Sequence, residues 1–275
     1  MICKMNQTVQ FFIVALIFAV TVNCDRENPQ NPLGKFLYED LKCFANLDNT
    51  TNQPIYYKCT VSAKDSCIFE GKKLSVSEEI KDDGTHVYCR SHCSCNDDGT
   101  FDCAEDDCSE ETPVNCRLKD TLTECCSVVD CGPVKANCTY NGKSYEEGKT
   151  FRPENSCHTC LCQEGFSGKI EQPHCIKRRC LEQIFNMDKL QRKCAAVYFL
   201  EDLCCPATWV CDEGQKIEKI VENTKTQLTC SFGDKEVPLG HGFEASVRPY
   251  STIVRVRCEC SLPPLITCLE LPKNK

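Results

Sequence analysis

A frame of ten cysteines runs through this chain twice in full and a third time in part, and it limits the fold more than any other feature. The first copy is Cys67, Cys89, Cys93, Cys95, Cys103, Cys108, Cys116, Cys125, Cys126 and Cys131. The second is Cys138, Cys157, Cys160, Cys162, Cys175, Cys180, Cys194, Cys204, Cys205 and Cys211. Each copy has a C-x-C near its middle, four residues between its fifth and sixth cysteines, and an adjacent pair followed closely by a last cysteine. Two tandem modules of one kind follow.

What cysteine means depends on the compartment. Met1 to Lys4 is a short basic start, and Phe11 to Val22 is an apolar run of signal-peptide length, too short to span a bilayer comfortably. Val22 and Cys24 are small enough for a cleavage site, which places the cut between Cys24 and Asp25. No later apolar run approaches the length of a membrane span, so a secreted, soluble mature protein is expected. Cleavage removes Cys3 and Cys24 from a total of 28 and leaves an even number, as full pairing requires. Cysteine also inflates the apparent hydrophobicity: of the 41% counted as hydrophobic, roughly a tenth of the chain is cysteine, so other apolar side chains are scarce. Segments that cannot bury enough surface are stapled by disulfides instead, and a row of small domains is expected.

In an oxidising compartment the run Cys157-His158-Thr159-Cys160-Leu161-Cys162 reads as disulfide framework rather than as a zinc site, because its spacing repeats in tens and not in fours. The acidic residues Asp97, Asp98, Asp102, Glu105, Asp106 and Asp107 lack the ligand offsets of a calcium loop and read as a solvated turn. Aligned on their first cysteine, the copies begin Cys67-Ile68-Phe69-Glu70-Gly71, Cys138-Thr139-Tyr140-Asn141-Gly142 and Cys230-Ser231-Phe232-Gly233-Asp234. Each has an aromatic residue two positions on and then a turn, with Asn141-Gly142 the strongest hairpin signal. Each module should open as a small antiparallel sheet.

Charge is uneven. Residues 97 to 111 carry eight acidic side chains and no basic one, whereas Lys177, Arg178, Arg179, Lys189, Arg192 and Lys193 form a basic cluster around a short helix expected at Leu181 to Leu190. That cluster is either a solvated face or a site for sulphated glycosaminoglycan. Five histidines, none beside a plausible nucleophile, and cysteines that are expected to be oxidised argue against an enzyme. No cofactor, metal or nucleic-acid partner is expected.

The order Cys157, Cys160, Cys162, a further cysteine pair, the adjacent pair and a final cysteine resembles the von Willebrand factor type C module of chordin-like extracellular proteins. The resemblance covers a little over half the chain. The first copy departs from it with three residues between Cys89 and Cys93 where two is usual, and the second with a longer stretch before Cys194 and a different spacing after its adjacent pair. The resemblance implies a small sheet closed by first-to-fourth and third-to-fifth bonds. It thus implies Cys67 with Cys95, Cys93 with Cys103, Cys138 with Cys162 and Cys160 with Cys175. In the tail, Cys230, Cys258, Cys260 and Cys268 match the first, third, fourth and fifth positions, implying Cys230 with Cys260 and Cys258 with Cys268. The partners of the later cysteines stay open. Cys43 and Cys59 are left over and pair by parity; their loop could contribute ~3 kcal/mol in the chain-entropy model.

The architecture expected is a small disulfide-rich, mostly β chain. It comprises a signal peptide (1–24), an N-terminal segment (25–65), two type C-like modules (66–131 and 132–211), a linker (212–229) and a partial module (230–275). Asn49-Thr50-Thr51 and Asn137-Cys138-Thr139 are glycosylation sequons, so Asn49 and Asn137 are candidate sites. The resemblance implies binding of secreted growth-factor dimers of the bone morphogenetic protein and TGF-β class. Contact is then expected from apolar residues of the first-half sheets: Ile68, Phe69, Tyr88, Tyr140, Tyr145 and Phe151. The alternatives are a structural matrix or glycosaminoglycan-binding protein and a secreted protease inhibitor, against which the adjacent cysteine pairs argue.

Overall fold

The computed structural model describes residues 32–60, 65–81, 90–108, 111–154, 156–221, 227–249 and 251–272. The signal segment, Cys89 and Tyr88 lie outside the described residues. Short antiparallel strands dominate; among the described residues there are three helices of at most six residues and twelve disulfides with both partners described.

The opening hairpins follow from their turns. Strands Ser66–Phe69 and Lys72–Ser75 turn at Glu70 and Gly71, with φ +51° and +75°. Asn137–Tyr140 and Lys143–Glu146 turn at Asn141 and Gly142, with φ +47° and +77°. Both are the two-residue turns with two positive φ values that match strand twist. The third copy, Thr229–Phe232 with Lys235–Pro238, puts Gly233 first in its turn at φ +57°. The acidic turn between Arg90–Cys95 and Phe101–Glu105 is closed from within: Asp98 Oδ1 accepts from the Thr100 N–H at 2.9 Å and from its hydroxyl at 2.6 Å.

All seven cysteine pairs named above are bonded in the structure. The later halves, left open by the sequence, follow one scheme in both copies. The sixth cysteine bonds the ninth (Cys108–Cys126, Cys180–Cys205), and the seventh bonds the tenth (Cys116–Cys131, Cys194–Cys211). Cys157 bonds Cys204, and Cys125 is also in a disulfide.

Where a row of separate small domains was expected, strands cross the boundaries. A six-stranded sheet runs in the order Thr208–Val210, Ala195–Tyr198, Thr267–Glu270, Val254–Glu259, His241–Val247, Glu218–Lys219. Its pairings are antiparallel except for Ala195–Tyr198 with Thr267–Glu270, which is parallel and joins the second module to the third copy. The segment read as a linker supplies the edge strand Glu218–Lys219. Gly242 is required there, because a Cβ would collide with the Cys258 carbonyl on the neighbouring strand.

The physical reason lies in the apolar side chains outside the cysteine frame. Ala195, Ala196, Val197 and Tyr198 are all fully buried, as befits a strand covered on both faces. Alternation sends Ala195 and Val197 into one core with Phe232, Val237, Phe243, Val256 and Ile266, and Ala196 and Tyr198 into another. The second core is closed by the N-terminal segment. Helix Lys35–Asp40 contributes Leu37 and Tyr38, and the hairpin Phe44–Leu47 with Pro54–Lys58 contributes Tyr57, against Met187, Leu190, Leu262 and Leu265. Pooling scarce apolar residues from distant segments buries more area than four separate cores could.

Candidate functional site

The first-half sheets place most of the expected contact residues inward. Ile68 and Phe69 are 4% and 8% exposed. Phe69 packs with Cys67, Leu74 and Cys95 and meets Phe101 edge to face at 5.9 Å. In the second module Phe151 is buried, with Tyr145 stacked on it at 4.0 Å and Tyr140 tilted against it at 5.8 Å. This corrects the expectation for Ile68, Phe69 and Phe151, which are buried and offer little area to a partner. Only Tyr140 and Tyr145 keep part of their surface in solvent.

The basic cluster is also redistributed. Lys177 pairs with Glu39 at 3.0 Å, Arg178 with Asp202 at 2.8 Å, and Lys189 with Asp188 at 2.8 Å. Arg179 pairs with Asp40 at 2.8 Å and with Glu70. Arg192 and Lys193 are exposed. Four of the six charges thus have carboxylate partners within the chain, Arg178 and Arg179 in largely buried pairs, so the cluster carries less unpaired basic charge than its sequence suggests. Helices Glu182–Phe185 and Met187–Gln191 replace the single short helix expected at Leu181 to Leu190.

Sequence reasoning missed the role of Arg179. Asp40, 8% exposed, accepts from Arg179 Nε and, through Oδ2, from the N–H groups of Cys180 at 3.0 Å and Leu181 at 3.3 Å. Arg179 also reaches Glu70 at the turn of the first module. One guanidinium therefore ties the N-terminal helix, the first module and the second. No local pattern announces this, since the partners are 139 and 109 residues away.

The run once weighed as a zinc site is fully spent. Cys157, Cys160 and Cys162 are each in a disulfide, and His158 Nδ1 lies 3.0 Å from the Ser156 hydroxyl. Burial and then the Lys177 charge lower the His158 pKa. The sulfurs of Cys108, Cys125 and Cys126 cluster within 4.8 Å, but all three are disulfide-bonded and offer no thiolate to a metal.

The sequons differ in geometry. Asn49 is exposed at the tip of the N-terminal hairpin, where Asp48 Oδ1 accepts from the Thr50 hydroxyl at 2.5 Å and from the N–H groups of Thr50 and Thr51 at 2.9 and 2.8 Å. The Thr50 hydroxyl, then the two backbone groups, hold the Asp48 carboxyl below the usual carboxylate range. Asn137 is exposed too, but it lies in a strand paired with Glu146 and next to the bonded Cys138. We expect an endoglycosidase-sensitive mass on the chain expressed through a secretory pathway, and its disappearance in Asn49→Gln. Loss of that mass only in Asn137→Gln would reverse the assignment.

The exposed apolar side chains lie elsewhere. In the later half of the first module, strands Arg117–Lys119 and Val128–Asp130 form a two-stranded hairpin. Around it Val114 is 89% exposed, Val134 62%, Val128 44% and Leu118 36%. Of these, Val128 lines a shallow cleft together with Lys119, Val129, Asp130, Pro133 and Lys135. Arg117 bridges Asp130 at 2.7 Å and Glu147 at 3.4 Å, which fixes the hairpin against the second module. No helix among the described residues is long and apolar enough to cross a membrane.

No protein-family model matches the chain, and no solved structure matches it significantly.

Proposed function

We propose that this chain is a secreted extracellular protein that binds growth-factor dimers of the bone morphogenetic protein and TGF-β class and modulates their signalling. The observation that carries the reading is the bonding scheme. First-to-fourth and third-to-fifth bonds recur in all three copies, the arrangement implied by the resemblance to von Willebrand factor type C modules. A disulfide density of this order belongs to proteins of oxidising compartments. The contact surface in this reading is the later-half hairpin of the first module, where the exposed Val128 lines a cleft with Lys119, Val129, Asp130 and Pro133.

The test is binding of the oxidised, secreted chain to a panel of such dimers at low and physiological salt. Saturable binding that survives physiological salt, and that weakens at least roughly tenfold in Val128→Asp with the disulfide map intact, is the expected result. Binding lost with salt would favour a glycosaminoglycan or matrix role through the exposed Arg192 and Lys193 instead. No binding to any dimer would end the growth-factor reading.

A further inference from the structure

Helix Glu182–Phe185 is the joint between the first two modules, and its four residues face different neighbours. Ile184 packs into the first module's core beside Cys67, Phe69, Leu74 and Cys95. Gln183 Oε1 accepts from the Glu70 N–H at 2.9 Å, and the Arg90 guanidinium lies 5.0 Å over the Phe185 ring. Further along, Gln191 Nε2 donates to the Asp98 carbonyl at 3.0 Å.

Glu182 faces the opposite way, into the second module. It is 4% exposed, and its Oε2 accepts from Trp209 Nε1 at 3.1 Å and Asn186 Nδ2 at 2.8 Å. Both donors are neutral, and no cation pairs with Glu182 among the described residues. The charge that faces it from the N-terminal helix is Asp40, whose own partner Arg179 is committed to Asp40 and Glu70. From strand Ala195–Tyr198 it faces Tyr198, whose buried hydroxyl has no hydrogen-bond partner among the described residues and which also feels Tyr38 and Asp202. A carboxylate so placed is far better tolerated protonated than ionised.

We propose that Glu182 is a proton-operated latch on this joint: protonated, it seats the helix against Trp209 and keeps the first module docked; ionised, it draws in water and loosens the docking. Burial, opposed by the hydrogen bonds from Asn186 and Trp209 and aided by Asp40, pushes the Glu182 pKa up to about 7. The direction follows by linkage. The seated state binds a proton that the opened state releases, so docking is strongest at pH below an ordinary carboxylate pKa and weakens as pH rises toward 7. The opening equilibrium should increase up to about tenfold per pH unit across that window and level off above it.

The chain has one tryptophan, so Trp209 reports on Glu182 directly. Emission of the full oxidised chain, and hydrogen exchange of the Glu70 amide corrected for its intrinsic pH dependence, would be followed across this range. In the wild type both are expected to titrate together with a midpoint near neutrality, and in Glu182→Gln both are expected to stay flat. Asp40→Asn, which removes the neighbouring negative charge, should move the midpoint down. A flat wild type, an unchanged midpoint in Asp40→Asn, a Glu182→Gln profile like the wild type, or emission that titrates while Glu70 exchange does not would each overturn the latch.

Discussion

Replacing Tyr38 with alanine is expected to lower stability by about 4 kcal/mol, enough to leave little folded protein. Tyr38 is fully buried at the centre of the core shared by the N-terminal helix, the second module and the third copy. Its hydroxyl donates to the Leu262 carbonyl at 3.0 Å and accepts from the Leu265 N–H at 3.1 Å. Truncation therefore opens a cavity and strips partners from two buried backbone groups. Tyr38→Phe keeps the volume and loses only the hydroxyl, so about 1–2 kcal/mol is expected. Denaturant melts of the oxidised proteins separate the two. Equal melting of Tyr38→Ala and wild type would mean that the N-terminal helix does not belong to this core.

The second large effect is expected at Asp40. Asp40→Ala takes the Asp40 carboxylate from Arg179 and leaves the N–H groups of Cys180 and Leu181 without their acceptor, a loss of about 3–5 kcal/mol. The cost comes from removing one carboxylate from a half-buried guanidinium and from the two N–H groups left unpaired; the intact pair itself contributes less. A double-mutant cycle with Arg179→Ala should therefore show a coupling of about 1–3 kcal/mol between the two sites. Additive losses would mean that the pair acts only as two separate contacts.

Short-range features were legible before any coordinate. Asn141-Gly142 makes its turn because both residues accept positive φ, and Glu70-Gly71 makes the same turn although glutamate favours it less. The structure supplies the missing reason at Glu70, whose N–H and carboxylate are held by Gln183 and Arg179 from the second module. The first-half bonds match the scheme that the resemblance to type C modules implies.

Long-range placement was not legible. Ile68, Phe69 and Phe151 read as surface because a small module was assumed to lack a core of its own, yet ring stacking and disulfides suffice to bury them. Nor does any motif in Ala195–Tyr198 specify a partner seventy residues on, because alternation in a strand buried on both faces leaves no periodic signature. The basic run from Lys177 to Arg179 likewise looked like a patch until its carboxylate partners were in place.

The parallel pairing of Ala195–Tyr198 with Thr267–Glu270 also sets an order of events at the ribosome. The inner strand is made first, and its partner is still about seventy residues from being synthesised; at roughly 5–20 residues per second that is several seconds. Throughout that interval an apolar strand edge, with Val197 and Tyr198 bare, waits for the segment that will cover it. During maturation, then, that edge is open to pairing with other chains, and damage to the C-terminal strands should show first as aggregation of newly made protein rather than as loss of a finished site.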